Sequence, residues 1–193
     1  MFGTLYYNPA FARSNWLLAL SEFLDIKLEG KVSYESPEFN KLFPLERTPA
    51  FISSNGFKLT ESLAIAYYLV NKSKNPEFSG ITEEEKASNW KWYSFITSDM
   101  INLVSAILDD SNSDKNLNKL SENFEKNLQY IDDYLSKNKS LVSDSIVICD
   151  IFARCFFIMI KGFKLDYSKY ENINRFIEDV SIHPIFSKIL SKN

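Results

Sequence analysis

The sequence predicts an α/β domain followed by an all-helical domain, and three observations support this fold class. Short runs of β-favouring residues alternate with helical patterns up to about residue 72, where the β signal stops. A polar stretch with Pro76 and Gly80 then separates the two halves. Beyond it, apolar residues recur at three- and four-residue spacing, as they do on helices. We therefore expect a first domain over residues 1–72, a linker at 73–81 and a helical domain over 82–193.

The first half has the pattern strand, helix, strand, helix, strand, strand, helix. Its first strand is predicted at Thr4 to Tyr7, and the helix that follows at Phe11 to Leu24. A second strand is expected around Gly30, and Ser36-Pro37-Glu38 should open a short helix, because Pro suits a first helical turn. A helix that connects two parallel strands gives a thioredoxin-like layout.

The stretch from residue 43 to residue 70 predicts a hairpin and a helix. An Asn55-Gly56 pair between apolar runs is a strong hairpin pattern, and it should pair Ala50 to Ile52 with Phe57 to Leu59. Helical spacing of apolar residues starts after Thr60-Glu61, so a helix should open there.

The opening of this helix has two interpretations. The first N–H groups of a helix have no partner within it, so Glu61-Ser62 combines free donors with a hydroxyl and a carboxylate. Such a corner can bind a small zwitterion, whose carboxylate would meet the N–H groups and whose ammonium would meet Glu61. The alternative, which the local sequence favours, is that Thr60 or Ser62 only caps the helix.

The second half predicts a helical bundle. Thr82-Glu83-Glu84-Glu85 is a good helix start, and Asp109 to Asn118 is a polar loop. The other predicted helices lie at Leu120 to Leu135, Ile148 to Ile160, Tyr170 to Val180 and Pro184 to Leu190. The helix at Ile148 is apolar on nearly all sides, which is typical of the central helix of a bundle.

Composition and charge exclude several classes of function. The chain has 25 acidic and 22 basic residues and a net charge of -3, so we expect no direct nucleic-acid binding.

Cys149 and Cys155 lie six residues apart on a predicted helix and face different directions, which argues against a disulfide. Without a secretory start or an apolar run of membrane length, we expect a soluble, cytoplasmic protein. The single histidine, His183, precedes Pro184 in a predicted loop, where a structural role is favoured over catalysis.

The helix-opening stretch resembles the glutathione-binding core of the glutathione transferase superfamily. That family has an X-Pro peptide before a strand, then a hairpin, then Glu-Ser at a helix start; here these are Thr48-Pro49, the hairpin and Glu61-Ser62. The resemblance implies the glutathione transferase fold over essentially the whole chain. It also implies a glutathione site made by Arg47, Thr48, Pro49, Glu61 and Ser62, with no metal or other cofactor.

The same resemblance draws attention to the start of the buried helix. The family begins this helix with Ser/Thr-x-x-Asp, and here the Asp is Asp150 while Val147 occupies the capping position. Since valine cannot accept the helix N–H bonds, we expect this start to be weaker by roughly 1 kcal/mol than a Ser or Thr version.

Within the superfamily, the sequence is most similar to the transferase-like domain of the gamma subunit of translation elongation factor 1, especially its fungal forms. The similar segments are Gly3-Thr4-Leu5-Tyr6, Phe43 to Val70 and Trp92 to Asp99. This similarity implies an interaction module in translation elongation. Its partners would be elongation factor 1 complex subunits, aminoacyl-tRNA synthetases or ribosome-associated proteins.

An enzyme is the alternative. Glutathione transfer needs a hydrogen-bond donor that favours the ionised thiol, and Tyr7 stands where tyrosine-type transferases have theirs. Tyr7 can instead be a packing residue, and Asn8 and Ser14 are weaker candidates for the donor. Arg13 can lie near glutathione or pair with a carboxylate. Homodimerisation is usual in the superfamily, although no residue pattern here requires it.

Overall fold

The structure is a computed structural model that describes residues 1–10, 12–109, 111, 113–163 and 165–186; the side chains of residues 12, 13, 15, 114 and 115 lie outside the described part. The strands are β1 Gly3–Tyr7, β2 Leu28–Val32, β3 Ala50–Ser53 and β4 Lys58–Thr60. The helices are α1 Ala12–Phe23, α2 Phe39–Leu42, α3 Ser62–Lys72, α4 Glu83–Ser94, α5 Ile101–Ile107, α6 Asp114–Leu135, α7 Ile148–Gly162 and α8 Glu171–Ser181. This confirms the predicted fold class, a thioredoxin-like sheet domain followed by an all-helical domain.

The four strands form one sheet in the order β2-β1-β3-β4. β1 runs parallel to β2, whereas β3 is antiparallel to both β1 and β4. The predicted hairpin is confirmed, but its second strand is Lys58–Thr60 rather than Phe57 to Leu59, so Phe51 lies opposite Leu59 and Ile52 opposite Lys58. Gly56 at its tip has a φ of +86°, the left-handed conformation in which an Asn-Gly turn needs glycine.

Both faces of the sheet are covered. Consecutive strand residues point to opposite faces, and neighbouring residues of β1 are both buried. Leu5 is fully buried on one face, and Tyr6 is buried on the other. The Tyr6 ring packs at 5.4 Å from that of Phe39 and at 5.9 Å from that of Phe43, beside Ala50. The start of β3 is therefore held in place from the α2 side.

The short helix α2 begins later than predicted. Ser33–Glu35 forms a separate 3-10 turn, and Ser36 closes it by donating its N–H to the Ser33 carbonyl and its hydroxyl to the Val32 carbonyl. Ser36-Pro37-Glu38 therefore belongs to the connection, and the helix starts at Phe39. The predicted loop at 109–118 is also too long, since α6 begins at Asp114.

Packing divides the chain into two units, residues 1–79 together with the segment that begins at His183, and residues 80–182. In the second unit, α4 continues through a π-helical segment, Phe95–Met100, into α5. The Thr97 hydroxyl donates to the carbonyls of Tyr93 and Ser94 at 3.1 and 3.0 Å within this run. The predicted helix was thus found, but its change of winding was not foreseen. The domain limits predicted from the sequence stay a prediction.

The start of α7 has half of a capping box. Val147 offers no acceptor, whereas the buried Asp150 carboxylate accepts the N–H groups of Val147 and Leu141, each at 2.9 Å. Burial raises the pKa of Asp150 to about 7, against the lowering effect of these two hydrogen bonds. Asp150 therefore holds the loop before α7 onto the helix, as its place after Val147 suggested.

His183 and the cysteines have the structural environments expected from the sequence. The His183 ring lies 5.0 Å from that of Phe23 and 5.6 Å from that of Phe78, and burial lowers the pKa of His183. Cys149 and Cys155 are both free thiols on α7. Most of the predicted last helix, residues 184–190, lies outside the described residues. None of the described helices combines the length and apolar character needed to cross a membrane.

Candidate functional site

The register of the sheet brings three separate chain segments to one end. Tyr6 of β1 is paired with Ala50 of β3, and Ala50 is paired with Thr60 of β4. Tyr7 directly follows Tyr6, and Thr48-Pro49 directly precedes Ala50. Glu61-Ser62 directly follows Thr60. The predicted site residues therefore converge at the same end of the sheet.

The start of α3 has an unusual backbone. Glu61 occupies the N-cap position with φ 68° and ψ 122°, a left-handed conformation that side chains rarely adopt. Its side chain makes no capping hydrogen bond, while the prediction that Thr60 or Ser62 caps the helix stays a prediction. The Glu61 carbonyl accepts the Ile65 N–H at 3.0 Å, which is the first hydrogen bond of the helix. The N–H groups before Ile65 point out of the helix end.

The charges at this helix end suit a zwitterion. The N-terminal end of a helix carries a partial positive charge that favours an anion. Ser62, the first helical residue, is only 7% exposed, whereas the Glu61 side chain is exposed. The exposed Glu61 carboxylate can therefore pair with an ammonium group, and the partial positive charge of the helix end favours a carboxylate beside it.

The segment before β3 gives one wall of this corner. Pro49 is buried and Thr48 is half-buried, and the peptide bond between them is cis. Arg47 is exposed and follows Glu46, which is also left-handed with a φ of 53°. Arg47 and Thr48 are thus accessible from solvent on the N-terminal side of β3.

The end of β1 supplies two candidate hydrogen-bond donors, Tyr7 and Asn8. A Cβ atom placed on Gly30 would lie 3.4 Å from Cε1 of Tyr7, so the Tyr7 ring extends toward β2, on the side of β1 away from β3. Asn8 is half-buried, and its side-chain oxygen accepts the Ala10 N–H at 2.9 Å. That turn fixes the amide of Asn8 and leaves its Nδ2 group to donate elsewhere. The Arg13 side chain lies outside the described residues, and Ser14 is fully buried.

A polar cluster around Tyr6, on the face of the sheet opposite Tyr7, was not predicted from the sequence. Tyr6 donates its hydroxyl to Glu38 Oε1 at 3.0 Å, and Lys31 donates to the same oxygen at 3.0 Å. Hydrogen bonds from its own backbone, from Lys31 and from Tyr6 lower the pKa of Glu38. Burial and the hydrogen bond to Glu38 raise the pKa of Tyr6. Its only sequence signal was the cross-strand neighbour relation of Tyr6 and Lys31, which requires the register. Among the described residues, no group of three or more His, Cys, Asp or Glu is arranged to hold a metal ion.

Comparison with known proteins gives consistent matches along the chain. Residues 1–71 match the family "Glutathione S-transferase, N-terminal domain", and residues 86–184 match "Glutathione S-transferase, C-terminal domain". A curated relative, glutathione S-transferase Y-2 of Pichia kudriavzevii, is 39% identical over 190 residues, which are 97% of this chain and 99% of the relative. A crystal structure of a glutathione S-transferase from the same organism is 34% identical and has a TM-score of 0.83, covering 100% of this chain and 97% of that one.

Elongation factor relatives match over a smaller part of their length. Elongation factor 1-gamma 2 of Saccharomyces cerevisiae is 38% identical over 109 residues, which are 53% of this chain and 26% of that protein. The crystal structure of the transferase-like domain of elongation factor 1-gamma from the same yeast has a TM-score of 0.83. Because that domain is 22% identical and covers 97% of this chain and 92% of its own, it shows the shared fold alone.

Proposed function

The chain belongs to the glutathione transferase superfamily, and from that premise we propose that it binds glutathione and transfers it to small electrophiles. The observation that carries the proposal is the convergence of Thr48-Pro49, Glu61-Ser62 and the end of β1 at one end of the sheet. The transferase relative that matches along nearly its entire length supports this function over the translation role favoured by the sequence.

In the proposed site, the start of α3 holds the γ-glutamyl end of glutathione. The backbone N–H groups and the Ser62 hydroxyl bind its carboxylate, and Glu61 binds its ammonium group. Glu61 combines an exposed carboxylate with a ψ of 122°, which lies outside the ordinary left-handed region, and such sparsely populated conformations cluster at ligand sites. Thr48 pairs its backbone with the cysteinyl part, Pro49 shapes the wall beside it, and the exposed Arg47 offers its charge to the glycyl carboxylate.

Catalysis in this proposal requires one donor at the end of β1. A hydrogen bond to the glutathione sulfur stabilises the thiolate, which is the nucleophile that attacks the electrophile. Tyr7 was the predicted donor, but its ring extends toward β2, whereas the Asn8 amide is oriented by the Ala10 N–H. Tyr7→Phe and Asn8→Ala, assayed with an activated aryl chloride, should identify the donor as the residue whose loss lowers kcat/KM.

Binding is tested by isothermal titration of glutathione into the protein and into Glu61→Gln and Ser62→Ala variants. We expect a Kd of about 1 mM or tighter, equivalent to roughly -4 kcal/mol. Each variant should weaken binding about tenfold, because each removes a hydrogen bond to a charged group.

Asp25→Asn is the matched control for Glu61→Gln. Asp25 is also an exposed, left-handed acidic residue, with a φ of 56°, but it precedes β2 at the other end of the sheet. Its substitution should leave the titration unchanged. Absence of heat with the wild-type protein would rule out the proposed site.

A second candidate function is an interaction module of the elongation factor 1 complex, supported by the 38% identity to elongation factor 1-gamma 2. In the Trp92 to Asp99 run, Trp92 is 1% exposed, so a partner would meet the exposed Ser94, Ser98 and Asp99 instead. Pull-down of the purified nucleotide-exchange subunit, repeated with Asp99→Lys, tests this role. Aminoacyl-tRNA synthetase or ribosome-associated partners, a homodimer and a cytoplasmic location stay predictions.

A further inference from the structure

A cavity of about 270 Å³ opens in the helical unit, between the end of α7 and the middle of α8. Among the described residues that line it, Ile158, Leu165 and Ile177 are apolar and Lys161, Asp166 and Glu178 are charged. The volume is just below the range of about 300 to 1,000 Å³ that is typical of ligand pockets. The cavity therefore suits a small molecule, and every described residue that lines it belongs to the second unit.

The wall of the cavity is held in place before any ligand arrives. Asn174 on α8 donates its amide to the carbonyls of Tyr167, Ser168 and Tyr170, which ties the connection between α7 and α8 onto α8. Tyr170 is held in turn by its hydroxyl, which donates to Glu125 Oε2 at 2.6 Å. A pre-formed wall lowers the entropy that a ligand must overcome on binding.

The charges around the cavity favour a cation. Among the described lining residues, the charged groups are the carboxylates of Asp166 and Glu178 and the ammonium group of Lys161. Hydrogen bonds from Ser168 lower the pKa of Asp166, so this carboxylate is ionised at neutral pH. Neither Lys161 nor Glu178 forms an ion pair with another described residue. Both groups are thus available to a ligand.

We propose that this cavity is a binding site for a small organic amine, a molecule with a compact apolar body and one ammonium group. The apolar body lies on Ile158, Leu165 and Ile177, and the ammonium group pairs with Glu178 and Asp166. Lys161 at the same rim discriminates against larger positive charge by repulsion. The described residues of this cavity belong to the second unit and those proposed for glutathione to the first, so the two proposals can fail independently.

The test compares 2-phenylethylamine with 3-phenylpropionate, which share a ring and a two-carbon chain but differ in the sign of their charge. Each is titrated into the ¹⁵N-labelled full chain while amide shifts are followed. The amine should move the amide signals of residues 158–178 with a Kd on the order of 1 mM. The acid should bind at least about threefold more weakly, because it meets two carboxylates.

Three variants assign the binding to this cavity. Glu178→Gln should raise the Kd of the amine about two- to fivefold, the effect of one partly exposed ion pair, and Lys161→Met should lower it. Glu171→Gln is the matched control, because Glu171 is an exposed acid on the same helix outside the cavity lining. Equal affinity for the two probes, shifts located elsewhere, or equal effects of the Glu178 and Glu171 substitutions would each overturn the proposal.

Discussion

The helix starts of the two units are built in opposite ways. In the helical unit, α4 begins with a complete capping box, in which the Glu85 N–H donates to Thr82 Oγ1 at 3.1 Å and the Thr82 N–H donates to Glu85 Oε2 at 3.3 Å. In the sheet unit, α3 begins at a left-handed Glu61 whose side chain caps nothing. A helix start that uses its own side chains serves stability, whereas one whose N-cap side chain makes no capping bond leaves that side chain to a ligand.

The start of α7 lies between these two cases. Asp150 provides one half of the box from inside the helix, but Val147 leaves the other half empty. Three helix starts in one chain thus range from full to absent side-chain capping. Their different stabilities can be measured separately.

The largest expected effect comes from the buried carboxylate of α7. Asp150→Asn keeps one acceptor but leaves the N–H of Val147 or Leu141 without its partner, which should cost about 1 to 3 kcal/mol of unfolding free energy. Urea denaturation at pH 5 measures this loss, because the protonated Asp150 still presents two oxygens to these N–H groups, whereas an amide nitrogen cannot accept a hydrogen bond. Asp144→Asn, an exposed acid in the loop before α7, should have almost no effect.

The same residue predicts a pH dependence. The folded pKa of Asp150, about 7, lies above the usual value of 3.8, so the folded state binds the extra proton between these values. The contribution of Asp150 to stability is therefore fully present below pH 3.8 and lost as the pH rises through about 7. The difference between wild type and Asp150→Asn should shrink from pH 5 to pH 8. A constant difference would contradict the raised pKa.

The next effect tests the complete box of α4. Thr82→Ala removes the acceptor of the Glu85 N–H and should lower the unfolding free energy by about 0.5 to 2 kcal/mol. Ser113→Ala is its control, since Ser113 is the N-cap of α6 but makes no side-chain capping bond. Comparable losses in the two variants would mean that the box at Thr82 contributes nothing.

Completing the box of α7 should produce a gain. Val147→Thr keeps the side-chain shape and adds a second acceptor for the Asp150 N–H, which already donates to the Val147 carbonyl at 3.1 Å, so the unfolding free energy should rise by at most about 1 kcal/mol. Val142→Thr, in the loop before the helix, provides the same chemical change without a capping position. Thermal and urea denaturation of both variants would show whether the gain is specific to residue 147.

The smallest stability effect is expected at α3. Glu61→Gly removes a left-handed cost of about 1 to 2 kcal/mol and adds a loss of chain entropy of about 0.5 to 1 kcal/mol, which leaves a gain of about 0 to 1.5 kcal/mol. Glutathione affinity should nevertheless fall, because the carboxylate is gone. Asp25→Gly should change stability by a similar amount and leave affinity intact. An equal loss of glutathione affinity in Glu61→Gly and Asp25→Gly would contradict the role of Glu61 in binding.

Local patterns were sufficient to predict most elements. Asn55-Gly56 predicted the hairpin because few residues adopt the positive φ of its tip, and Thr82 with Glu85 predicted the start of α4 because both partners lie within one helical turn. The predicted start at Ser36-Pro37 was wrong because the Ser36 side chain bonds back to the Val32 carbonyl. The π-helical segment had no sequence signal of its own.

For the candidate site, the chemical groups could be identified from the sequence: the hydroxyl and carboxylate at Glu61-Ser62, the segment at Thr48-Pro49 and the donors Tyr7 and Asn8 at the end of β1. The tertiary structure brings these groups together, since the pairing of Tyr6 with Ala50 and of Ala50 with Thr60 joins residues far apart in the chain. It also decided the side of β1 toward which Tyr7 extends, and it placed His183 against Phe78. The type of each helix or strand follows from local residue spacing. The convergence of the site residues depends instead on strand register and on the packing of distant residues.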